Sequence, residues 1–343
     1  MDPVEALERI AYLLDRAREK AFRPRAYLRA ADVVRALPAG ELERRVADGT
    51  LTDLEHIGPK TAAVITEAVA GGVPEYLTAL EETTGIRAGA GDELVRLLRG
   101  DCHTHSTWSD GGADIDTMAR AARSLGREYV VLTDHSPRLT IANGLTADRL
   151  REQLEVVASL NDTYASEAAG GLAEPFQILT GIEVDILDDG SLDQDPGLLA
   201  ELDIVVASVH SKLRMERTPM TRRMCVAAAS PHVDILGHCT GRIVVGKGRP
   251  ESLFDPELVF HACEQFGTAV EINSRPERLD PPRRLLDIAH EMGCAFSIDT
   301  DAHAPGQLEW LPYGADRAAE AGIAPDRIIN TRSADDLLAW RAG

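Results

Sequence analysis

Residues 4–20, 26–37, 40–48 and 59–70 carry apolar side chains at three- and four-residue spacing, which predicts four helices. Pro38 and Gly40 close the second. No strand pattern occurs before about residue 95, so residues 1–85 read as a small all-helical domain. TGIRAGAGDE (84–93) has three glycines and few apolar residues. It lies at a linker spanning 86–98, ahead of a larger domain over 99–343. From about residue 100 short apolar or β-branched runs alternate with helical segments: 100–106, 129–136, 176–186, 203–211, 233–240, 268–274 and 294–303. Seven such runs predict an α/β fold, either an open parallel sheet or a closed barrel. The pattern does not choose between the two.

The ends of these runs carry the chemistry. The first ends in His103 and His105, with Asp110 in the loop that follows, and the second in Asp134 and His135. The third carries Glu183, the fourth His210, the fifth His238, the sixth Glu271 and Asn273, and the seventh Asp301 and His303. Six of the ten histidines therefore lie at strand ends. In β/α folds the carboxyl ends of the strands form one rim, where ligands gather. His-x-His puts both imidazoles on one face, because strand side chains alternate. Imidazole and carboxylate suit Mn, Fe and Zn. A catalytic zinc takes about three protein ligands, so this set implies two or three divalent ions, with a carboxylate shared between them. Closely spaced ions activate water and clamp a phosphoryl oxygen.

The remaining residues of these types read as structural. His56, His232, His261 and His290 fall in helical or loop contexts and read as surface or packing residues. The run Asp188, Asp189, Asp193, Asp195 lacks the spacing of a calcium loop and reads as a solvated turn. Cys102 and Cys239 adjoin ligand positions, but alternation turns them to the opposite face, into the core. The five cysteines contain no CxxC pair, so neither a disulfide framework nor a zinc knuckle is expected, and a reducing cytoplasm fits. No run of about eighteen apolar residues occurs. The first twenty residues read as an amphipathic helix rather than a signal peptide.

Charge divides the chain unevenly. The net charge of -20 argues against wholesale coating of nucleic acid. Within 16–45, however, nine basic residues face four acidic ones. That stretch could meet a phosphate backbone, while the acidic remainder could hold cations or simply stay soluble.

H-x-H with a following Asp, TDHS, GIEVDI, SVHS, LGH and TDAH, in that order, resemble the PHP (polymerase and histidinol phosphatase) domain over roughly 99–340. The resemblance implies a distorted seven-stranded (β/α)7 barrel that holds up to three metals and hydrolyses phosphoesters. It assigns His103, His105, Glu183 and Asp301 to one ion. Glu183, His210 and His238 go to a second, and Asp110, His135 and His303 to a third. Manganese is the first expectation, with zinc or iron as alternatives. Glu183, Asp301 and His210 are the catalytic candidates, and a hydroxide held between metals would attack phosphorus. Lys212, Arg242, Arg275 and Arg278 are candidates for holding substrate phosphate. Glu271 and Asn273 are expected behind the ligands or in a polar barrel interior.

WSDGG, GIEVDIL-DDGSLD and PHVDILGHCTGR resemble the PHP domain of bacterial family X DNA polymerases. FRPRAYLRAADVVRALP and LTDLEHIGPKTAAVITEAVAGG are similar to the small helical DNA-binding domain of that family, including its helix-hairpin-helix. That likeness implies DNA contacts at Gly58, Lys60, Arg25 and Arg29. Three departures stand out. His56-Ile57-Gly58 replaces the usual Gly-x-Gly. Val64 stands where lyase-competent relatives carry a Schiff-base lysine, so no lyase activity is expected. No room exists between 85 and 100 for a polymerase palm, so no polymerisation is expected either.

Three functions follow. The first is a DNA 3'-5' exonuclease or repair end-processing phosphodiesterase, with the helical domain holding DNA. The second is a phosphatase acting on a small phosphomonoester such as histidinol phosphate. The third is a non-catalytic DNA-binding scaffold, against which nine intact ligands weigh. No protein partner is indicated.

Overall fold

The computed structural model describes residues 1–86 and 89–342. The chain folds as two compact units, one of residues 1–86 with 305–307 and the other of residues 87–304 with 308–343. Arg87 and Ala88, inside the stretch read as a linker, lie outside the described residues.

The first unit holds five helices: α1 Pro3–Arg16, α2 Phe22–Ala36, α3 Glu41–Asp48, α4 Pro59–Val69 and α5 Glu75–Thr84. Asp2 starts α1 by accepting from the backbone N–H groups of Val4 and Glu5, with Pro3 in the first turn. Its Leu7, Ile10 and Leu14 face inward on helical spacing and pack with Tyr27, Ala30 and Ile65. The helix ends short of the expected residue 20 because Arg18 turns into the left-handed region at φ 60°. The second helix starts earlier than expected: Pro24 is tolerated in its first turn, where N–H groups lack partners anyway.

The second unit opens with α6 Asp92–Leu97, inside the 86–98 stretch. Leu94 and Leu98 are buried in the barrel's hydrophobic layer, which gives this short helix its anchor. The strands are β1 Gly100–Thr104, β2 Tyr129–Leu132, β3 Gln177–Asp185, β4 Ile204–Ser208, β5 Ile235–Leu236, β6 Ala269–Asn273 and β7 Phe296–Asp299. Between them run α7 Ile115–Ser124, α8 Ala147–Ala169, α9 Pro196–Leu199, α10 Arg217–Ala228, α11 Pro256–Phe266 and α12 Arg283–Glu291. Helices α13 Leu311–Glu320 and α14 Ala334–Ala342 follow. All strand pairs are parallel, in the order β1-β2-β3-β4-β5-β6-β7.

The sheet is a nearly closed seven-stranded barrel rather than an open sheet. Strand β3 shows the stagger that closure requires: Gln177–Thr180 pair with β2, and Gly181–Asp185 pair with β4. Across the seam, His105 donates its N–H to the Ala302 carbonyl at 2.8 Å. Lower down, Cys102 N–H meets the Asp299 carboxylate at 2.7 Å. The strands are buried on both faces, as parallel β/α strands are. Inside the barrel Cys102, Val131, Leu179, Val206 and Ile235 pack together. Cys239 joins the layer between strands and helices. All five cysteines are free. Among the described residues, no helix is long and apolar enough to cross a membrane.

Candidate metal centre

The centre is built around Glu183, near the carboxyl end of β3. Its Oε2 lies 3.4 Å from His103 Nε2, 3.7 Å from His105 Nε2 and 2.8 Å from His135 Nδ1. Its Oε1 lies 3.2 Å from His210 Nε2 and 2.9 Å from His238 Nε2. One carboxylate therefore meets imidazoles from four other strand ends. Asp301, following β7, puts Oδ1 3.4 Å from His105 Nε2 and 3.5 Å from His303 Nδ1. Asp110, in the loop after β1, reaches His303 Nε2 at 3.3 Å and His135 Nε2 at 3.5 Å. All nine residues named from the sequence share one site. His56, His232, His261 and His290 belong to no such group among the described residues.

The short distances to Glu183 do not meet hydrogen-bond geometry. Both Glu183 oxygens, both nitrogens of His105 and His210, His103 Nε2, His135 Nδ1 and His238 Nδ1 are buried without a hydrogen-bond partner. Buried polar atoms left unsatisfied cost about 1–3 kcal/mol each, more for charged groups. Imidazole nitrogens and carboxylate oxygens converging in this way fit a divalent cation. Atoms lying within 4.8 Å of one another fall into three groups: His105, Asp110, His135 and His303; His103, His105 and Asp301; and His135, Glu183 and His210. They overlap at His105 and His135. Burial and the neighbouring imidazoles of His303 and His135 hold His105 well below its ordinary value, in the neutral form that ligates. Burial pushes the Glu183 carboxyl up, but His210, His103 and His135 together pull it well below the usual carboxylate range.

Other residues hold the ligands in place. Glu271 Oε1 lies 2.6 Å from His103 Nδ1, and its Oε2 accepts the His238 backbone N–H. Asn273 Nδ2 lies 3.2 Å from Glu271 Oε2 and 3.3 Å from Asp301 Oδ2. Asp134 accepts from Ser106, Ser109 and Gln153 and so fixes the loop after β1. Asp185 accepts the His210 backbone N–H at 3.0 Å. Alternation along GIEVDI would have found Asp185, two residues after Glu183 on the same strand face.

The four candidate cations divide. Arg275 Nη1 donates to the Asp301 carbonyl at 2.8 Å and lies 3.0 Å from His303 Nδ1. Arg278 Nε lies 3.1 Å from Asp301 Oδ2, and its Nη1 is buried without a partner. Lys212 pairs instead with Asp188, and Arg242 donates to the carbonyls of Arg278 and Leu279. The other acidic residues of that run are also engaged: Asp193 accepts from Ser136, Arg138 and Asp185, and Asp195 caps α9.

In the first unit, Gly58 and Lys60 line a cavity of about 460 Å³ with Phe22, Arg23, Tyr27 and His56. Arg25 and Arg29 are exposed on α2 but do not line it. His56 adopts φ 66°, the left-handed conformation that a glycine gives freely. The turn ahead of α4 thus keeps a glycine-like backbone at this residue.

Comparisons with known proteins follow these two units. Residues 1–74 match the helix-hairpin-helix domain model and residues 101–247 the PHP domain model. A Bacillus subtilis protein named DNA polymerase/3'-5' exonuclease PolX is 38% identical over 250 residues, 72% of this chain. The chain spans only 42% of that relative's length. A Thermoanaerobacter sp. (strain X514) protein named a probable phosphatase is 31% identical over 249 residues, covering 67% of this chain and 89% of that one. The crystal structure of a Lactococcus lactis histidinol phosphate phosphatase with zinc, L-histidinol and phosphate aligns at a TM-score of 0.45 and 18% identity. It covers 66% of this chain and 95% of that one. With the barrel, the ligand cluster and the second relative taken together, the chain belongs to the PHP domain family and is a metal-dependent hydrolase of phosphoester bonds.

Proposed function

We propose that this enzyme cleaves phosphodiester bonds in DNA, as a 3'-5' exonuclease or an end-processing enzyme. The observation that carries the reading is the joining, in one chain, of a helix-hairpin-helix domain to a PHP barrel. The 38% identity to a relative named for exonuclease activity supports it.

His103, His105, Glu183 and Asp301 would hold one ion, Glu183, His210 and His238 a second, and Asp110, His135 and His303 a third. Manganese is the proposed ion; zinc and iron suit the same nitrogen and oxygen donors. Bound ions would acidify water and neutralise charge that builds on the phosphoryl oxygens. The chain's own contribution is positional. Glu183 spaces five imidazoles, and Arg275 fixes Asp301 against His303. Arg278 Nη1, buried and unpartnered, is placed to take a phosphoryl oxygen. Gly58 and Lys60 at the start of α4 would hold a DNA phosphate, with Arg25 and Arg29 adding charge. We expect neither lyase nor polymerase activity. A cytoplasmic setting fits a DNA substrate and five free cysteines.

A second reading, a phosphatase for small phosphomonoesters, is favoured by relatives named as probable phosphatases. The test is to incubate the manganese-loaded protein with a 5'-labelled primer-template and, in parallel, with histidinol phosphate and a generic phosphomonoester. Shortening of the labelled strand supports the nuclease. Turnover of monoesters alone overturns it in favour of the second reading.

A further inference from the structure

We propose that the hairpin Ile243–Arg249 on the catalytic rim is a finger that grips the sugar-phosphate backbone of a nucleic-acid strand beside the metal centre. The inference rests on the nuclease reading and names a substrate contact for it.

Position comes first. The hairpin begins a few residues beyond His238, and Gly241 N–H bonds the His238 carbonyl at 2.8 Å. Ile243 and Arg249 exchange two backbone hydrogen bonds, 3.0 and 2.8 Å, which close the hairpin. Gly246 and Gly248, at φ 61° and 65°, turn its tip. The base is fastened to the loop after β6: Val244 N–H donates to the Glu277 carbonyl at 2.7 Å, and Arg242 Nε to the Arg278 carbonyl at 3.0 Å. Arg278 is the residue whose guanidinium meets Asp301. Finger and metal centre therefore share one rigid frame.

Charge comes second. Residues 235–250 contain Arg242, Lys247 and Arg249 and no Asp or Glu, in a chain of net charge -20. Arg242 and Arg249 are occupied with backbone carbonyls at the hairpin's base. Lys247, at the tip, is exposed and has no ion-pair partner among the described residues. Arg214, in the preceding β4–α10 loop, is likewise exposed and without one. That loop is tied to the same segment, because Ser252 Oγ donates to the Leu213 carbonyl. A polyanion approaching so acidic a protein needs local cations where it lands.

Apolar surface comes third. Val244 and Val245 are 50% and 36% exposed at the tip. Apolar side chains beside a free lysine suit the faces of sugars and bases, which carry no sequence code there. A small phosphomonoester lacks the successive sugars and phosphates that these groups would hold.

The experiment measures binding of a labelled single-stranded oligonucleotide to the full chain across a salt series. It compares wild type with Lys247→Ala and with the double variant Val244→Ser, Val245→Ser. Turnover of thymidine 5'-(p-nitrophenyl phosphate), which carries a single nucleotide and no strand, is followed alongside. Lys247→Ala is expected to weaken binding several-fold and to reduce the slope of log affinity against log salt by about 1. The double serine variant is expected to weaken binding with the slope unchanged, and both variants to keep wild-type turnover of the small ester. Unchanged affinity and slope in both variants would overturn the proposal. So would an equal loss on the small ester, or wild-type binding to anionic phospholipid vesicles in preference to the oligonucleotide. Hairpin-dependent binding without strand shortening would sink the nuclease reading and leave the finger standing.

Discussion

Glu271 Oε1 sits 2.6 Å from His103 Nδ1, and that contact decides which nitrogen of His103 faces Glu183. The same carboxylate takes the backbone N–H of His238. One side chain thus orients two ligands. Groups that hold a ligating histidine typically contribute 10–100-fold in metal affinity. Glu271→Gln should lower manganese affinity by about 10–100-fold, read by isothermal titration calorimetry. An unchanged affinity would mean that His103 is oriented by packing alone.

Arg278 presents an unpartnered Nη1 in a buried setting while its Nε is spent on Asp301. Arg278→Ala should reduce kcat/KM by about 10–100-fold, the effect of losing one charge-assisted contact of roughly 1.5–3 kcal/mol. Metal content, measured by mass spectrometry, should stay at the wild-type level. Loss of metal along with activity would reassign Arg278 to holding Asp301.

Burial raises the Asp234 carboxyl from 3.8 to about 6, against the opposing pull of Val205 N–H and Arg341. A raised acid binds its extra proton in the folded state, so folding stability falls as pH climbs from about 4 to about 6 and then levels off. Asp234→Asn removes that penalty and keeps an acceptor for Val205. The variant should gain on the order of 1–2 kcal/mol at pH 8 and less at pH 5. Thermal unfolding at the two pH values tests the sign, and a larger gain at pH 5 would reverse the account.

Much of the barrel was legible because parallel strands buried on both faces leave continuous apolar runs. All seven strands lie where such runs occur. Strand β5 is two residues long rather than eight, since within that run only Ile235 and Leu236 pair with β4 and β6. The nine clustered side chains were legible because residue type and strand end coincide. Partnerships across the chain were not. Nothing in the local sequence says that Lys212 will pair with Asp188, or that Arg242 will be consumed by carbonyls of the β6–α12 loop. Nor does apolar spacing reveal α6, whose six residues are fixed mainly by burying Leu94 in the barrel layer.

A glycine beside the site makes a steric prediction. A Cβ at Gly144 would lie 1.9 Å from the Ser136 carbonyl oxygen. Leu145, the next residue, donates its N–H to the His135 carbonyl. Gly144→Ala must move the loop that carries His135. It should cost about 1–3 kcal/mol of stability, measured by urea unfolding, and should lower activity under conditions where the protein remains folded.

The most direct test of the account is phosphoester turnover by the manganese-loaded Glu183→Ala variant beside wild type, on whichever ester wild type cleaves. Glu183 stands among five imidazoles and is proposed to serve two ions. Its loss should lower turnover by about 10³-fold or more, a barrier change near 4 kcal/mol, in a protein that still folds. Turnover within about twofold of wild type would contradict the metal centre as the seat of catalysis.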